Sequence, residues 1–322
     1  MKSLCVKVPR AKGESTRKRL AELGILDKSL KIQSDDQFLY LPVLNEKNIP
    51  PGMEIVTKGF EKAKKHETIG DILGFVPSYE LIGDIATLAE EDVNVAKAIL
   101  ATHKNVRTVL CPTSLTTGEF RVRDFKIIAG EPRTETVYKE HGCRYAIDLQ
   151  RAYFNPHLST ERARISAQVE PDEMVIDMFA GVGPFSILIA KRAKRVIAID
   201  KNPDAILFLR KNVELNSITN IEIIQGDVRE VAPRLRGRAD RVIMNLPHTA
   251  SEFLNEAIEM LKSKGVIHYY DIRHEDDLEG AIHTIQGVAA HSGVGIKILN
   301  TRKVHSYAPH KYIVCVDCQV TS

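Results

Sequence analysis

The stretch Asp177-Met-Phe-Ala-Gly181-Val-Gly183-Pro-Phe sets two glycines behind an apolar run that ends in a carboxylate. Where such a run is a strand and the sequence after it a helix, Gly181 and Gly183 let a ligand approach the backbone, and the helix offers its N-terminal amides. Seventeen residues past Gly183 comes Asp200, at the end of the next apolar run, placed to accept hydrogen bonds from a ribose diol. Asp227, in Gly226-Asp227-Val228, ends a third run, where an adenine amino group is within reach. Two cofactors compete for this pattern. A nicotinamide dinucleotide wants a third glycine to cradle its pyrophosphate, and Ser186 stands there instead. Asp177 would also repel a pyrophosphate, whereas a carboxylate near a cationic amino-acid moiety is acceptable. The pattern favours S-adenosylmethionine, which carries no phosphate. Structural turns are the usual origin of a lone glycine pair, so the inference lies in the three carboxylates at successive strand ends.

A fourth apolar run ends Arg241-Val-Ile-Met-Asn245-Leu246-Pro247-His248. It resembles the Asn-Pro-Pro-Tyr-like element of methyltransferases acting on planar nitrogens of bases, in which the Asn side chain meets the base edge. An Asn capping a helix after a strand fits the same residues equally well.

The elements that position these residues follow from periodicity. Met174–Met178, Arg195–Ile199, Ile221–Ile224, Arg241–Met244 and Val266–Tyr270 read as strands, each followed by helical sequence such as 184–192 and the helix opened by Asn202-Pro203. Regular alternation implies a parallel sheet with helices on both faces. Val294–Leu299 and Tyr312–Val320 then read as a closing hairpin. The expected fold class is α/β, a doubly wound, mostly parallel Rossmann-like sheet ending in a hairpin, preceded by two smaller α+β domains. The first, 1–60, holds strands at Leu4–Val6 and Phe38–Val43, a helix from Glu14 to Leu23 and the turn Ile49-Pro50-Pro51-Gly52. Lys58 to His66 reads as a linker or exposed edge. The second, 68–155, holds strands at Asp71–Phe75, Leu81–Thr87, Val106–Cys111, Val137–Tyr138 and Cys143–Asp148 with a helix over Asp92–Thr102. The third, 156–322, is the cofactor-binding domain.

The chain has 322 residues, 43% hydrophobic and 27% charged, a globular composition that excludes wholesale disorder. No apolar stretch reaches the roughly 18–20 residues that span a bilayer, and the N-terminus lacks the apolar core of a secretory signal. Five scattered cysteines fit a reducing cytosol better than a disulfide framework, so the expected location is cytoplasmic. Cys315-Val-Asp-Cys318 has no second ligand pair, and on a strand an offset of three points the sulfurs to opposite faces. No metal is expected. Net charge is only +3, yet the first 31 residues carry nine Lys and Arg against three acids, a patch that attracts phosphates. Arg229, Arg234, Arg236, Arg238 and Arg241 form a second basic cluster. Either cluster alone suits a solvated surface; beside this site they point toward RNA.

Met178-Phe-Ala-Gly-Val-Gly-Pro-Phe-Ser, Val242-Ile-Met-Asn-Leu-Pro, Val266-Ile-His-Tyr-Tyr and Ser306-Tyr-Ala-Pro together resemble the archaeal and eukaryotic tRNA (guanine-N1)-methyltransferases acting beside the anticodon. Tyr153-Phe-Asn-Pro-His-Leu-Ser-Thr-Glu161-Arg162-Ala-Arg164 matches the element before that family's catalytic fold. The resemblance covers most of residues 70–322. It implies a class I methyltransferase fold, methyl transfer from S-adenosylmethionine to N1 of guanosine 37, and tRNA as partner, bound at the anticodon region and through the N-terminal domain at the elbow. A monomer suffices. Guanine N1 is a poor nucleophile until its proton leaves, so a general base is required; the resemblance gives that role to Glu161. Charge building on O6 calls for a fixed cation, and Arg121 best matches the family's arginine, with Arg123 or Arg133 in reserve. Asn245 orients the base edge, and Tyr153 offers a face to a base turned out of its stack, with Pro247, Arg162 and Arg164 beside it on the substrate side. Phe179 joins Asp177, Gly181, Gly183, Asp200, Asp227 and Asn245 in the cofactor set. The family arginine of the Phe-x-Pro-Arg-Leu element is His157 here, so His157 is left out of the site.

An aminocarboxypropyl transferase of wybutosine-type tRNA modification shares the cofactor turn and the Tyr-Ala-Pro ending but lacks Asn-Leu-Pro, so Asn245 argues for methyl transfer. Methylation of a wyosine precursor as a second activity stays open. A non-catalytic RNA-binding protein is disfavoured by Glu161, Asn245 and the cofactor carboxylates, and a dehydrogenase by the missing glycine.

Overall fold

The computed structural model describes residues 1–63, 67–114 and 118–321. Its contacts divide the chain into two compact units, Met1–Phe75 and Val76–Ser322. In the first unit, Lys2–Pro9 is central in a four-stranded sheet, pairing antiparallel with Phe38–Pro42 on one side and Glu54–Gly59 on the other. Gln33–Ser34 adds a short edge. The helix Gly13–Glu22 buries Thr16 and Leu20 and turns Lys18 and Arg19 to solvent. Its Gly13 packs closely on the sheet: a Cβ there would stand 2.3 Å from Leu39 Cδ1, so the leucine methyl would have to move aside. The expected linker at Lys58 begins as the end of the Glu54–Gly59 strand; residues 64–66 lie outside the described residues. Asp71–Phe75, expected as a strand, is helical over Ile69–Leu73, because Thr68 and Asp71 close a capping box across its first turn.

The second unit begins with a four-stranded sheet in which Leu81–Thr87, expected as one strand, is a hairpin of Tyr79–Ile82 and Ile85–Leu88. Gly83 makes the corner with φ +61, where a Cβ would meet Thr136 Oγ1 at 2.1 Å. Thr108–Pro112 pairs parallel with Ile85–Leu88, and Phe125–Gly130 completes the sheet. The helix Val93–Thr102, capped by Asp92, packs on it. A separate hairpin, Glu135–Glu140 with Cys143–Asp148, leads to the cofactor-binding part. The boundary expected at residue 155 is no break in the contacts. Buried Asn212 accepts from Ala146 N and donates to Ala146 O and Val182 O, fastening that hairpin to the cofactor turn.

The main sheet has seven strands: β1 (Met174–Asp177), β2 (Arg195–Asp200), β3 (Ile221–Gln225), β4 (Ala239–Met244), β5 (Leu261–His274), β6 (Gly295–Ala308) and β7 (Lys311–Thr321). Their spatial order is β3-β2-β1-β4-β5-β7-β6, parallel through β5 and antiparallel in β7 and β6. The order reverses between β1 and β4, the switch point at whose strand ends ligands bind in such sheets. Alternate residues feed opposite cores: Ile176, Val242, Tyr269 and Val316 face one layer, and Val175, Ile243, Tyr270 and Cys315 the other. Three helices matter to the site: α1 (Ser159–Ala167), α2 (Pro184–Ala190) after β1, and α3 (Pro203–Leu215) after β2. No helix among the described residues is long and apolar enough to cross a membrane.

Candidate active site

The turn after β1 is held open by its glycines. Gly181 (φ +55) donates its N–H to Asp200 Oδ2 at 2.6 Å, and Gly183 (φ +89) packs so closely on Leu209 of α3 that a Cβ would lie 2.3 Å from its Cδ1. Gly181 therefore shapes the ligand-facing backbone, while Gly183 sets the turn and the helix packing behind it. Asp177 is buried: Ser186 donates to its Oδ2 at 2.6 Å, and Oδ1 has no hydrogen-bond partner among the described residues. Burial pushes its carboxyl up to about 7, partly offset by Ser186 and reinforced by the charge of Asp200. Ser186, at the place of a third glycine, is thus the partner of the carboxylate rather than a ligand contact. Asp200 also accepts from Asn202 N at 2.8 Å, and its carboxyl is raised by burial. Asp227 caps the short helix after β3 through Arg229 N at 2.9 Å; that hydrogen bond, with Lys201, holds its carboxyl low.

A cavity of about 160 Å³ at these strand ends is lined by Phe179, Gly181, Asp200, Asp227, Asn245, Tyr153 and Arg121, bringing together most of the expected cofactor residues. Asp177 and Gly183 stand behind its wall. Phe179 is edge-on to Phe253, with ring centroids 5.1 Å apart. Two of the three cations that line it are neutralised: Lys201 bridges Glu119 (2.6 Å) and Asp227 (3.3 Å), and Arg229 pairs with Glu252 at 3.1 Å. The carboxylates suit the ribose, adenine and ammonium groups of S-adenosylmethionine, and Arg121, the third cation, stands on the side shared with the second cavity.

A second cavity, of about 240 Å³, shares Arg121, Tyr153 and Asn245 with the first and adds Pro247, His248, His305 and Tyr307. Asn245 caps no helix, and its side-chain amide makes no hydrogen bond among the described residues; it stands at the junction of the two cavities. Tyr153 is 47% exposed, an open aromatic face. Arg121 adopts φ +56, lines both cavities, and has no acidic partner among the described residues. Arg123 lies over the Phe125 ring at 5.0 Å in a neighbouring recess, and Arg133 is locked on Asp84 (2.6 Å) and Glu131 (2.8 Å) at a different surface. Of the three arginines, geometry puts Arg121 at the junction. His248 and His305 escaped the sequence reading, although each adjoins or lies within a quoted motif; burial lowers both imidazoles, which favours their neutral forms.

The element around residues 153–164 departs from expectation. Arg162 is 1% exposed, forms a two-pronged ion pair with Glu140 (2.6 and 2.7 Å) that braces α1 against the hairpin, and lines neither cavity. Arg164 is likewise turned inward, onto Glu161 and Asp317. Glu161 is 2% exposed and lines neither cavity. Its neighbourhood lies one pleat behind the wall: Ile313 lines the second cavity, and Cys315, two residues on along the same face of β7, touches Arg164. His157 pairs with Glu80 at 2.7 Å and stacks on His305 at 4.7 Å. Arg241, counted in a surface basic cluster, is interior, bound to Glu173 and His268. Cys315 and Cys318 face opposite core layers. His268, Cys315 and Asp317 could gather around a cation, but guanidinium groups already fill that place: Arg164 on Asp317 at 2.5 Å and Arg241 on His268 at 2.7 Å.

Comparison with known proteins agrees with this architecture in both units. A family model described as the TRM5/TYW2 methyltransferase domain matches residues 136–298, and one described as the tRNA methyltransferase 5 N-terminal domain matches residues 5–49. The tRNA (guanine(37)-N(1))-methyltransferase Trm5b of Pyrococcus abyssi is 41% identical over 335 residues, 99% of each chain. A solved complex of aTrm5 and tRNALeu is 36% identical, with TM-score 0.73 over 98% of this chain and 99% of that one. The tRNA(Phe) (4-demethylwyosine(37)-C(7)) aminocarboxypropyltransferase of Methanocaldococcus jannaschii is 35% identical and covers 75% of this chain and 97% of its own. M. jannaschii TYW2 in complex with AdoMet is 32% identical, with TM-score 0.61 over 76% of this chain and 99% of that one. The cofactor turn, the switch-point cavities and the end-to-end likeness agree, and the chain belongs to the TRM5/TYW2 methyltransferase family.

Proposed function

We propose that this chain transfers the methyl group of S-adenosylmethionine to N1 of guanosine 37 in tRNA. The observation that carries the reading is the junction of the two cavities, where Arg121, Tyr153 and Asn245 face both a cofactor-sized cleft and a second space bounded by Pro247 and Tyr307. The identities point the same way: the methyltransferase relative matches the whole chain and the aminocarboxypropyl transferase three quarters of it.

Asp200 and Asp227 are the acceptors for ribose and adenine, and the Asp177 carboxyl, behind the cavity wall, favours a positive amino group there through its charge. Phe179 and Gly181 form the floor. S-adenosylmethionine supplies the methyl from its sulfonium and leaves as the neutral thioether. Tyr153 and Pro247 hold the target base in the second cavity, and the Asn245 amide fixes its edge. The N1–H bond breaks with its electron pair left on N1 and its proton passed to Glu161. The charge shared with O6 is met by Arg121, whose guanidinium pairs with no carboxylate among the described residues and so keeps its charge for the substrate. Glu161 stands one pleat behind the cavity wall, so its role requires the wall or the carboxylate to shift as the base enters.

Residues 1–60 serve as a docking domain for the tRNA elbow, supported by the exposed Lys12, Lys18, Arg19, Lys28 and Lys31 and by the N-terminal family match. Residues 68–155 border the substrate, residues 156–322 hold the cofactor, and one chain in the cytoplasm carries all three parts. The test uses purified full-length protein, labelled S-adenosylmethionine and two tRNA transcripts differing only in guanosine or adenosine at position 37. Label recovered as 1-methylguanosine from the guanosine transcript alone is the expected result. Label on both transcripts, or on neither while the cofactor binds, overturns the reading.

A further inference from the structure

Glu161 is held by an array that reaches far beyond it. Arg164 donates Nε to Glu161 Oε2 at 2.9 Å and Nη2 to Oε1 at 2.7 Å, and Tyr270 donates its hydroxyl to Oε1 at 2.9 Å. The same guanidinium reaches Asp317 through Nη1 at 2.5 Å and Nη2 at 3.1 Å. Asp317 faces His268 Nδ1 at 2.6 Å, and His268 Nε2 faces Arg241 Nη1 at 2.7 Å. Arg241 can only donate, so Nε2 must accept and Nδ1 must carry the proton given to Asp317; His268 is therefore a neutral bridge of fixed tautomer. Arg241 ends on Glu173, with both contacts at 2.8 Å. Two adjacent cross-strand pairs on one face of the sheet, His268 with Asp317 and Tyr270 with Cys315, supply the middle of the array. Burial alone would raise the Asp317 carboxyl, but His268 and Arg164 hold it well below its ordinary range.

Such an array does little for stability, since buried ion pairs seldom outperform apolar packing of the same volume. It does fix a geometry. A carboxylate has about four acceptor positions, and Arg164 and Tyr270 fill three of those on Glu161. The fourth, on Oε2, faces Arg302 Nε, which is 3.7 Å away, too far for a hydrogen bond, and is itself buried without a hydrogen-bond partner among the described residues. One open acceptor thus confronts one unsatisfied donor. Arg302 lies opposite Cys315 in the β6–β7 register, and His305, three residues further along β6, pairs with Ile313 at the cavity wall.

We propose that Arg164 and Asp317 are positioning residues for Glu161: Asp317, steadied by His268, locks the Arg164 fork so that only one acceptor position of Oε2 stays open, the one that receives the substrate proton when Arg302 turns aside. The inference depends on the reading of Glu161 as the base and goes beyond it by assigning the support. Asp317→Asn leaves the Arg164 fork attracted to Glu161 alone and free to pivot; Arg164→Lys cannot bridge the two carboxylates.

The experiment compares full-length protein, Asp317→Asn, Arg164→Lys and Glu161→Gln, and the double variant of Asp317→Asn with Glu161→Gln. It measures single-turnover methylation of the guanosine transcript together with the dissociation constants for S-adenosylmethionine and tRNA. The expected result is a rate about ten- to a hundredfold lower in Asp317→Asn and in Arg164→Lys, as for a misplaced reacting group, with both dissociation constants unchanged. In the Glu161→Gln background, Asp317→Asn should cost nothing further, because the two act through one carboxylate. Equal slowing by Asp317→Asn in both backgrounds, or full rate in a folded Asp317→Asn protein, overturns the positioning role. A full rate in Glu161→Gln overturns the base reading itself and is distinguished by that variant alone. If Asp317→Asn does not fold, His268→Gln, one step further from Glu161, is put through the same comparison with the same criteria.

Discussion

Asp177 offers a quantitative test of how the cofactor turn is built. Its carboxyl is pushed from an ordinary 3.8 to about 7 by burial, with Ser186 as its one side-chain donor among the described residues. A carboxyl raised in the folded state binds its proton more tightly there than in the unfolded chain. Its contribution to stability is therefore full below pH 4 and is lost as pH rises through 7. With 1.36 kcal/mol per pH unit, the whole loss is about 4 kcal/mol, of which roughly 2.5 kcal/mol falls between pH 5 and pH 8. Asp177→Asn keeps an acceptor for Ser186 but cannot ionise. Urea unfolding of both proteins across that range, without ligand, isolates Asp177 with the part of the Asp200 titration coupled to it, because the uncoupled titrations cancel in the difference. The stability of the Asn variant minus that of the unaltered protein should climb by about 2.5 kcal/mol from pH 5 to pH 8. Saturating S-adenosylmethionine should flatten the climb, since a cation near Oδ1 favours the ionised form. A difference that stays level with pH in the absence of ligand would refute the argument that burial holds this carboxyl protonated in the fold.

Gly183→Ala should destabilise by roughly 2–4 kcal/mol, combining the left-handed backbone with a Cβ pressed on Leu209, read as a lower urea midpoint. Arg121→Ala should slow single-turnover methylation by about a hundredfold or more without loss of stability. Arg133→Ala should cost about 1 kcal/mol of stability at most and leave the rate unchanged; a reversal would exchange the two roles. Arg162→Ala should unfold more easily by about 3–5 kcal/mol, because it leaves Glu140 buried and unpaired. At temperatures where that variant is folded, its tRNA affinity should match the unaltered protein; a drop would restore Arg162 to the substrate side.

The parallel sheet was legible because its signals are local. Apolar runs of strand length, Asn202-Pro203 at a helix start and carboxylates at run ends each report their own neighbourhood, and β1 to β5 fall where the runs are. The differences arise where an apolar run competes with a specific contact, either a cap within one turn or a partner distant in sequence. Asp71–Phe75 is apolar enough for a strand, but the Thr68–Asp71 box decides for a helix. Leu81–Thr87 looks continuous, but Gly83 must turn beneath Thr136, fifty-three residues away. Edge strands such as Glu54–Gly59 and Phe125–Gly130 carry mixed sequence, since one side is solvated and period alone does not mark them.

The site divides along a similar line. Glycines and carboxylates at strand ends declare themselves, because topology delivers every strand end to one edge of the sheet. Arginines do not, since a guanidinium serves a substrate, a buried carboxylate or a ring with the same five donors. Arg121, Arg133, Arg162, Arg164 and Arg241 are alike in sequence, and what separates them is the number of acidic partners each finds in the fold. Glu140 claims Arg162, Asp84 claims Arg133, Glu173 claims Arg241, and Glu161 and Asp317 share Arg164, while Arg121 is left without an acid among the described residues. An interior cation is stabilised by its pair and has no field to spare. Arg123 likewise finds no acid among the described residues and lies over the Phe125 ring instead, so what singles out Arg121 is that it also lines both cavities, and it is therefore the arginine proposed to meet the negative charge that appears on O6 only when the substrate reacts.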